Sequence, residues 1–116
     1  AQETLSTWYT AADALLLPSH SEGFSRTIPE AMCCGTPVIG SNITGTSDHI
    51  RDYENGMLFP VRDAQALARI LGFFVAQPEV LRHMRSKTLA YALEHLTWTR
   101  IVERVVEEVY KPIMKV

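Results

Sequence analysis

"ALLLPSHSEGFSRTIPEAMCCGTPVIGS", residues 14 to 41, is the stretch that decides the fold. It begins with a run of apolar residues that ends at a proline, a pattern typical of a strand buried on both faces. The polar segment 19–26 follows, and its Gly23 predicts a loop. A helix then begins near Ile28, and PVIGS at 37–41 predicts a second short strand.

The helix in this stretch has signals at both of its ends. Thr27 can cap the first turn, and Pro29 is tolerated there because the amide hydrogen that proline lacks would have no helical partner. Gly35 can end the helix in the left-handed conformation, which costs glycine less than other residues. The stretch therefore predicts strand, loop, helix and strand in succession.

The alternation of helices and strands continues on both sides. We expect a helix over 3–12, a helical turn at TSDHIRD, a turn at ENG and a third strand at MLFPV. Helices follow from Asp63, from Pro78 and after a cap at Thr97. This order implies parallel crossovers, so the expected fold class is α/β, a parallel three-layer Rossmann-like sheet. Three strands are few for such a sheet, and the turn from the first strand to the next helix is not glycine-rich. We therefore expect residues 1–116 to be a single partial domain, the second half of a doubly wound domain.

Apolar positions recur at helical spacing in the three helices that close the chain, and each series predicts a core-facing stripe. The last series could also form the seam to a further domain. The three stripes are Leu67, Ile70, Leu71 and Phe74; Leu81, Met84, Thr88 and Tyr91; Ile101, Val102, Val105, Val106, Val109 and Ile113.

Composition narrows the class of partner. With 116 residues, 47% of them hydrophobic, and a net charge of -2, the chain suits one modest globular domain and argues against nucleic acid as the main partner. Adjacent Cys33 and Cys34 lack metal-ligand spacing and predict two small buried thiols.

No signal peptide and no apolar run of about 18 residues is present, which favours the cytoplasm as the location. The inner face of a membrane is the alternative location for a longer protein that contains this chain.

Two acidic residues flank the loop that feeds the predicted helix. Ligands of open parallel sheets bind beyond the carboxyl ends of the strands, where a helix N-terminus offers amide hydrogens to a phosphate. Glu22 and Glu30 would repel a phosphate, so their use is to accept hydrogen bonds from hydroxyl groups. A ligand with sugars on both sides of a pyrophosphate, a nucleotide-sugar, satisfies both requirements.

The same residues resemble the donor site of a known enzyme family. A strand ending in Pro-Ser, then Glu-Gly-Phe, Glu-Ala-Met and Gly-x-Pro-Val-Ile is similar to the donor-site segment of the retaining glycosyltransferases of family 4, which have the GT-B fold. YENGMLFP and TWTRIVERVVEEVY resemble the family's following strand and closing helix. The resemblance implies the carboxy-terminal, donor-binding part of such an enzyme.

The resemblance also implies a role for each residue of the loop. Glu22, as the catalytic residue, would contact the hydroxyls of the transferred sugar, and Glu30 would hold the ribose hydroxyls. The family uses neither a metal nor another cofactor here and retains the anomeric configuration. Ser25 departs from the pattern, since many members have a second glycine there. Backbone amides for the sugar and phosphates would come from Gly23, Phe24, Ser25, Arg26 and Thr27.

Simpler interpretations stay open for four of these residues. Glu30 can close a capping box with Thr27. Glu22 can be a solvated loop acid, and Arg26 can either neutralise phosphate or face water. Phe24 can wall the sugar pocket or join the core.

The resemblance implies a nucleotide-sugar donor, with UDP-, GDP- and ADP-sugars as the candidates. The acceptor domain and the pyrophosphate-binding cations would lie upstream of Ala1, so we expect the isolated chain to be inactive. An exposed sheet edge would favour a homo-oligomer. Two other functions remain: a nucleotide-sugar 2-epimerase-like domain, and a non-catalytic binding or assembly module.

Overall fold

Three parallel strands and four helices make up the part of the chain that the computed structural model describes, residues 2–18 and 27–96. None of these helices is both long and apolar enough to cross a membrane. In chain order the elements are α1 (Gln2–Ala11), β1 (Leu15–Leu17), α2 (Thr27–Cys33), β2 (Val38–Ser41), β3 (Gly56–Phe59), α3 (Ala64–Ala76) and α4 (Pro78–His95).

The sheet has the order β1-β2-β3, with both neighbouring pairs parallel. Leu15 lies beside Val38, which in turn lies beside Gly56. The predicted α/β class with a parallel sheet is therefore confirmed. All three strands end at the same edge, because parallel strands run in one direction.

The expectation that β1 is buried on both faces is wrong. Leu15 and Leu17 pack against one core cluster and are half-buried. Leu16 points to the opposite face and is 44% exposed. The reason is the position of β1 at an edge of the described sheet, where a run of three leucines does not reveal which neighbour is present.

Two core clusters lie on opposite faces of the sheet, since successive strand residues point to opposite sides. Val38 belongs to the cluster beneath α2, and the adjacent Ile39 belongs to the cluster beneath α3. The long α4 contributes Ala92 to the first cluster and Met84 to the second. Helices thus cover both faces, which confirms the three-layer arrangement.

Helix α3 begins where its sequence predicts. The Asp63 carboxylate accepts a hydrogen bond from the Ala66 amide at 2.9 Å, a side-chain cap for the first turn. Of the predicted stripe, Phe74 is buried and Leu67 and Ile70 are half-buried. Leu71 is 36% exposed instead, because α3 packs on an edge of the core.

Helix α4 has proline at its first position and buries the predicted stripe more fully. Met84 and Thr88 are buried, and Leu81 and Tyr91 are half-buried. The Thr88 hydroxyl donates to the Met84 carbonyl at 2.7 Å, so this buried polar group has a hydrogen-bond partner. The helix predicted after Thr97, with its valine-rich stripe, lies outside the described residues.

The helical turn predicted over 46–52 is present but lies earlier in the chain. Residues 44–49 form consecutive turns, and the Ser47 amide donates to the Ile43 carbonyl, four residues before it, at 2.9 Å, which is the hydrogen bond of a helical turn. The buried Asn55 side chain holds the backbone that follows this turn. It accepts a hydrogen bond from the Arg51 amide at 2.7 Å and donates one to the His49 carbonyl at 2.8 Å. These side-chain bonds satisfy backbone groups that a helix would have paired internally.

The predicted turn before the third strand is confirmed, and it ends in an unusually close approach. Tyr53 has φ of 64°, and its amide donates to the Gly56 carbonyl at 3.0 Å. A Cβ atom at Gly56 would lie 1.9 Å from the Val38 carbonyl oxygen. Only glycine allows β2 and β3 to meet at this point.

Candidate functional site

The carboxyl ends of the three strands meet at one edge and enclose a shallow depression of about 200 Å³. Each strand and the start of α3 contribute to its wall. The Ser41 hydroxyl lies 3.5 Å from the Leu17 carbonyl, which joins β2 to β1 at this edge. The lining residues are Pro18, Ser41, Phe59, Arg62, Asp63, Ala64 and Leu67.

Helix α2 also starts at this edge, because the loop that feeds it leaves the carboxyl end of β1. Its apolar side is set by Ile28, Ala31 and Met32, which are all completely buried. At the carboxyl end of α2, Gly35 has φ of 74°, the left-handed conformation predicted for the residue that ends this helix. Since the apolar side faces the sheet, Glu30 lies on the outer side of the first turn and is exposed.

Tyr9 of α1 lies close to Glu30, although sequence reasoning did not connect it with the site. Tyr9 packs against the core cluster that contains Ile28 and Ala31 of α2. Partial burial first, and then the proximity of Glu30 and Cys34, raise the pKa of Tyr9 above its ordinary value. Nothing in the spacing of residues 9 and 30 signals this proximity, because it arises between two helices.

The carboxyl end of α1, which carries Tyr9, is anchored by a side chain of the α2–β2 connection and by one of α4. The Thr36 hydroxyl donates to the Tyr9 carbonyl. The Arg85 guanidinium of α4 donates to the Ala12 carbonyl and, at 2.9 Å, to the Thr10 carbonyl. Helix α1 has no basic residue in its last turn, so Arg85 supplies the positive charge that a helix C-terminus favours.

Most of the loop predicted to bind ligand lies outside the described residues: Glu22, Gly23, Phe24, Ser25 and Arg26. Of the predicted site residues, the structure describes Thr27, which is half-buried at the start of α2, and Glu30.

The prediction of two buried thiols is wrong. Cys33 is exposed and Cys34 is half-buried. The reason is the short length of α2, whose buried side is already filled by Ile28, Ala31 and Met32. Partial desolvation and the adjacent Cys34 raise the pKa of the Cys33 thiol above its ordinary value. Over residues 2–18 and 27–96, no three His, Cys, Asp or Glu side chains are grouped to hold a metal ion.

Comparison with known proteins decides the family. Residues 1–90 match the model of the family described as "Glycosyl transferases group 1". The chain belongs to this family. The D-inositol 3-phosphate glycosyltransferase of Streptomyces scabiei is 37% identical over 97 residues, which are 84% of this chain and 22% of that protein. The enzyme of the same name from Thermomonospora curvata is 34% identical over 109 residues, 91% of this chain and 24% of the relative.

Solved structures agree with this assignment. The sucrose-phosphate synthase of Thermosynechococcus elongatus superimposes with a TM-score of 0.83 at 31% identity, covering 97% of this chain and 28% of that one. Alr3699/HepE of Anabaena, solved with UDP-glucose, superimposes with a TM-score of 0.78 at 26% identity. The match covers 90% of this chain and 29% of the HepE chain. The predicted fold, part of a GT-B glycosyltransferase, is confirmed. The chain spans about a quarter of the length of the relatives that it matches.

Proposed function

We propose that this chain is the donor-binding part of a retaining glycosyltransferase that uses a nucleoside-diphospho-sugar. The observation that carries the proposal is the position of Glu30. Its carboxylate stands on the outer side of the first turn of α2, at the edge where the parallel strands end. Alr3699/HepE, solved with UDP and with UDP-glucose, supports a nucleotide-sugar as the ligand.

In this proposal the two acids bind different parts of the donor. Glu30 accepts hydrogen bonds from the two hydroxyls of the ribose, since a carboxylate offers two oxygens at a suitable separation. Glu22 acts on the hydroxyls of the transferred sugar. The amides of Gly23, Phe24, Ser25, Arg26 and Thr27 face the sugar and the phosphates.

Transfer also needs an acceptor, which we place on a further domain of a longer enzyme. Catalysis depends on holding donor and acceptor in line, so the isolated chain should not transfer sugar. The exposed Leu16 and the side of β1 that has no partner strand in the described sheet are a surface through which isolated copies would associate. We propose the cytoplasm, or the inner face of its membrane, as the location of the longer enzyme.

The test is calorimetric binding of UDP, GDP and ADP to the full-length enzyme and to its Glu30→Gln variant. Glutamine keeps the shape of the side chain but removes the charge. A charged hydrogen bond contributes about 1.5–3 kcal/mol, so we expect affinity for the preferred diphosphate to fall about tenfold or more.

Thermal melting without ligand is the control for a purely structural role of Glu30. Loss of a cap would lower stability by about 1 kcal/mol, so melting should change little. An unstable variant with unchanged nucleotide affinity would contradict the ribose role. Failure of all three diphosphates to bind would favour a non-catalytic assembly module, and interconversion of sugars at carbon 2 without transfer would favour an epimerase.

A further inference from the structure

We infer that the depression at the carboxyl edge of the sheet is a subsite for one hydroxylated ring of the acceptor, an inference that rests on the glycosyl transfer proposed above. The ends of all three strands and the start of α3 form its wall. Ligands of open parallel sheets bind at this edge. The roles proposed for the donor use no residue of this wall, so the depression is available to the second substrate.

The size of the depression limits what it can hold. Its volume of about 200 Å³ is below the roughly 300–1,000 Å³ of pockets that enclose drug-sized ligands, so a whole nucleotide-sugar does not fit. A cavity of about 150 Å³ is large enough for benzene, so this depression admits a single six-membered ring with its substituents. The ligand is therefore one ring rather than the entire donor.

The wall combines the apolar and polar groups that a sugar or cyclitol ring requires. Phe59 and Leu67 offer apolar surface to the C–H groups of such a ring. A carboxylate accepts hydrogen bonds from hydroxyl groups, a guanidinium donates to them, and a serine hydroxyl does both. Ser41, Arg62 and Asp63 supply these three groups from the same wall. One acid and one base also leave the wall without net charge, which favours a neutral ring over a phosphate.

Ser41 gives the clearest sign that the wall accommodates a polar ligand. The residue is only 1% exposed, and its hydroxyl lies 3.5 Å from the Leu17 carbonyl, at the outer limit of a hydrogen bond. Buried hydroxyls normally have a well-placed partner, and a poorly paired one costs stability. A ring hydroxyl in the depression would offer Ser41 a shorter hydrogen bond.

Asp63 is oriented by the fold before any ligand arrives. One of its carboxylate oxygens accepts from the Ala66 amide at 2.9 Å, which fixes the side chain at the start of α3. A carboxylate has about four acceptor positions, so this bond leaves positions for ring hydroxyls. Little further ordering of Asp63 is needed when the ring binds, which lowers the entropic cost of recognition.

The depression and the proposed donor site lie on opposite faces of the sheet at the same edge. Phe59 belongs to the core cluster beneath α3, whereas Ile28 of α2 belongs to the other cluster. Glu30 is part of the first turn of α2 and so lies on the α2 side. A donor on one side of the strand ends and an acceptor ring on the other would be held next to each other, as transfer requires. The further domain would then hold the rest of the acceptor.

The test measures binding of a single ring separately from binding of the nucleotide. Glucose, mannose and myo-inositol are titrated into the full-length enzyme saturated with the tightest binder among UDP, GDP and ADP, and ring binding is followed by saturation-transfer NMR. We expect at least one ring to bind, and Asp63→Asn to weaken it about fivefold or more, because the variant loses a charged acceptor. Asparagine caps helices about as well as aspartate, so the start of α3 should be preserved.

A second variant and a matched control complete the experiment. Ser41→Ala should weaken the same ring about two- to fivefold. Both variants should keep the affinity for the diphosphate within about twofold, which also shows that they are folded. Glu79→Gln alters an acid in the first turn of α4, outside the depression, and should change neither affinity.

Four other results are distinguishable. The inference is wrong if no ring binds to the saturated parent, or if ring affinity is the same in the parent, Asp63→Asn and Ser41→Ala. It is also wrong if Asp63→Asn weakens UDP-glucose as much as the ring while sparing UDP, since the depression would then hold the transferred sugar. If no diphosphate binds to the parent, the proposed function fails instead, and ring titrations without nucleotide still decide whether the depression binds a ring.

Discussion

Replacing Gly56 with alanine should disrupt the junction of β2 and β3. The added Cβ would lie 1.9 Å from the Val38 carbonyl oxygen, 2.9 Å from its carbonyl carbon and 3.1 Å from its amide nitrogen. All three are backbone atoms of the central strand, so no side-chain rotation relieves the overlap. The strands would have to separate by more than about 1 Å, since carbon and oxygen normally approach to about 3.3 Å.

The expected magnitude follows from the contacts that this separation would break. Overpacking in a core costs about 1–3 kcal/mol, and each backbone hydrogen bond that lengthens forfeits about 0.5–1.5 kcal/mol. The amide of Val38 donates to the Asn55 carbonyl at 3.1 Å, directly at the clash. We therefore expect a loss of about 3 kcal/mol or more, a large share of the roughly 5–15 kcal/mol that stabilises a typical domain.

Chemical unfolding followed by circular dichroism measures this loss, and Gly72→Ala is its matched control. Gly72 lies inside α3, and no atom lies within 4 Å of the place that an added Cβ would take. The same substitution should stabilise the protein there by about 0.5–1 kcal/mol, because alanine favours the helix. A Gly56→Ala variant as stable as the parent would refute the reasoning, since it would mean that β2 and β3 do not approach so closely.

Three further predictions concern the site and its supports. Glu22→Gln in the full-length enzyme should impair turnover but leave the affinity for the bare nucleoside diphosphate within about twofold, because the diphosphate lacks the transferred sugar. Equal loss of diphosphate affinity in Glu22→Gln and Glu30→Gln would contradict the division of roles. Arg85→Met should lower the free energy of unfolding by about 1–3 kcal/mol in a urea titration, because the carbonyl groups at the end of α1 lose a charged hydrogen-bond donor. The control is Arg82→Met, at an exposed position of the same helix, which should change the free energy of unfolding by less than about 0.5 kcal/mol. The pKa of Tyr9 is raised in the fold, mainly by burial and then by Glu30 and Cys34, so the contribution of Tyr9 to stability is complete below the ordinary tyrosine pKa of 10.0 and is lost as pH rises through the folded value. Urea titrations should therefore show a smaller alkaline loss of stability for Tyr9→Phe than for the parent, and an equal loss would contradict the raised pKa.

Local signals predicted the elements well where one residue type has one dominant effect. Gly35 adopts the left-handed conformation expected of a helix end, and Pro29 and Pro78 lie in the first turns of their helices. The ENG segment forms the turn expected of it. These residues act through their own backbone restrictions, so their effect does not depend on what packs nearby.

Predictions failed where the outcome depends on a neighbour distant in sequence. Leu16 has the apolar character of a buried strand residue, yet it is exposed because β1 is an edge of the described sheet. The helical turn predicted over 46–52 ends at His49, because the Asn55 side chain binds the His49 carbonyl and the Arg51 amide.

The amino-acid sequence by itself determined the family, the order of strands and helices, and the two acids proposed to read the donor. It could do so because motif residues such as Glu30 and Gly35 are adjacent along the chain to the elements that use them. The tertiary structure alone decided which carbonyl groups Arg85 binds at the end of α1 and why Gly56 admits no Cβ. Both depend on pairs, Arg85 with Ala12 and Val38 with Gly56, that are distant along the chain and meet only when the helices and strands pack.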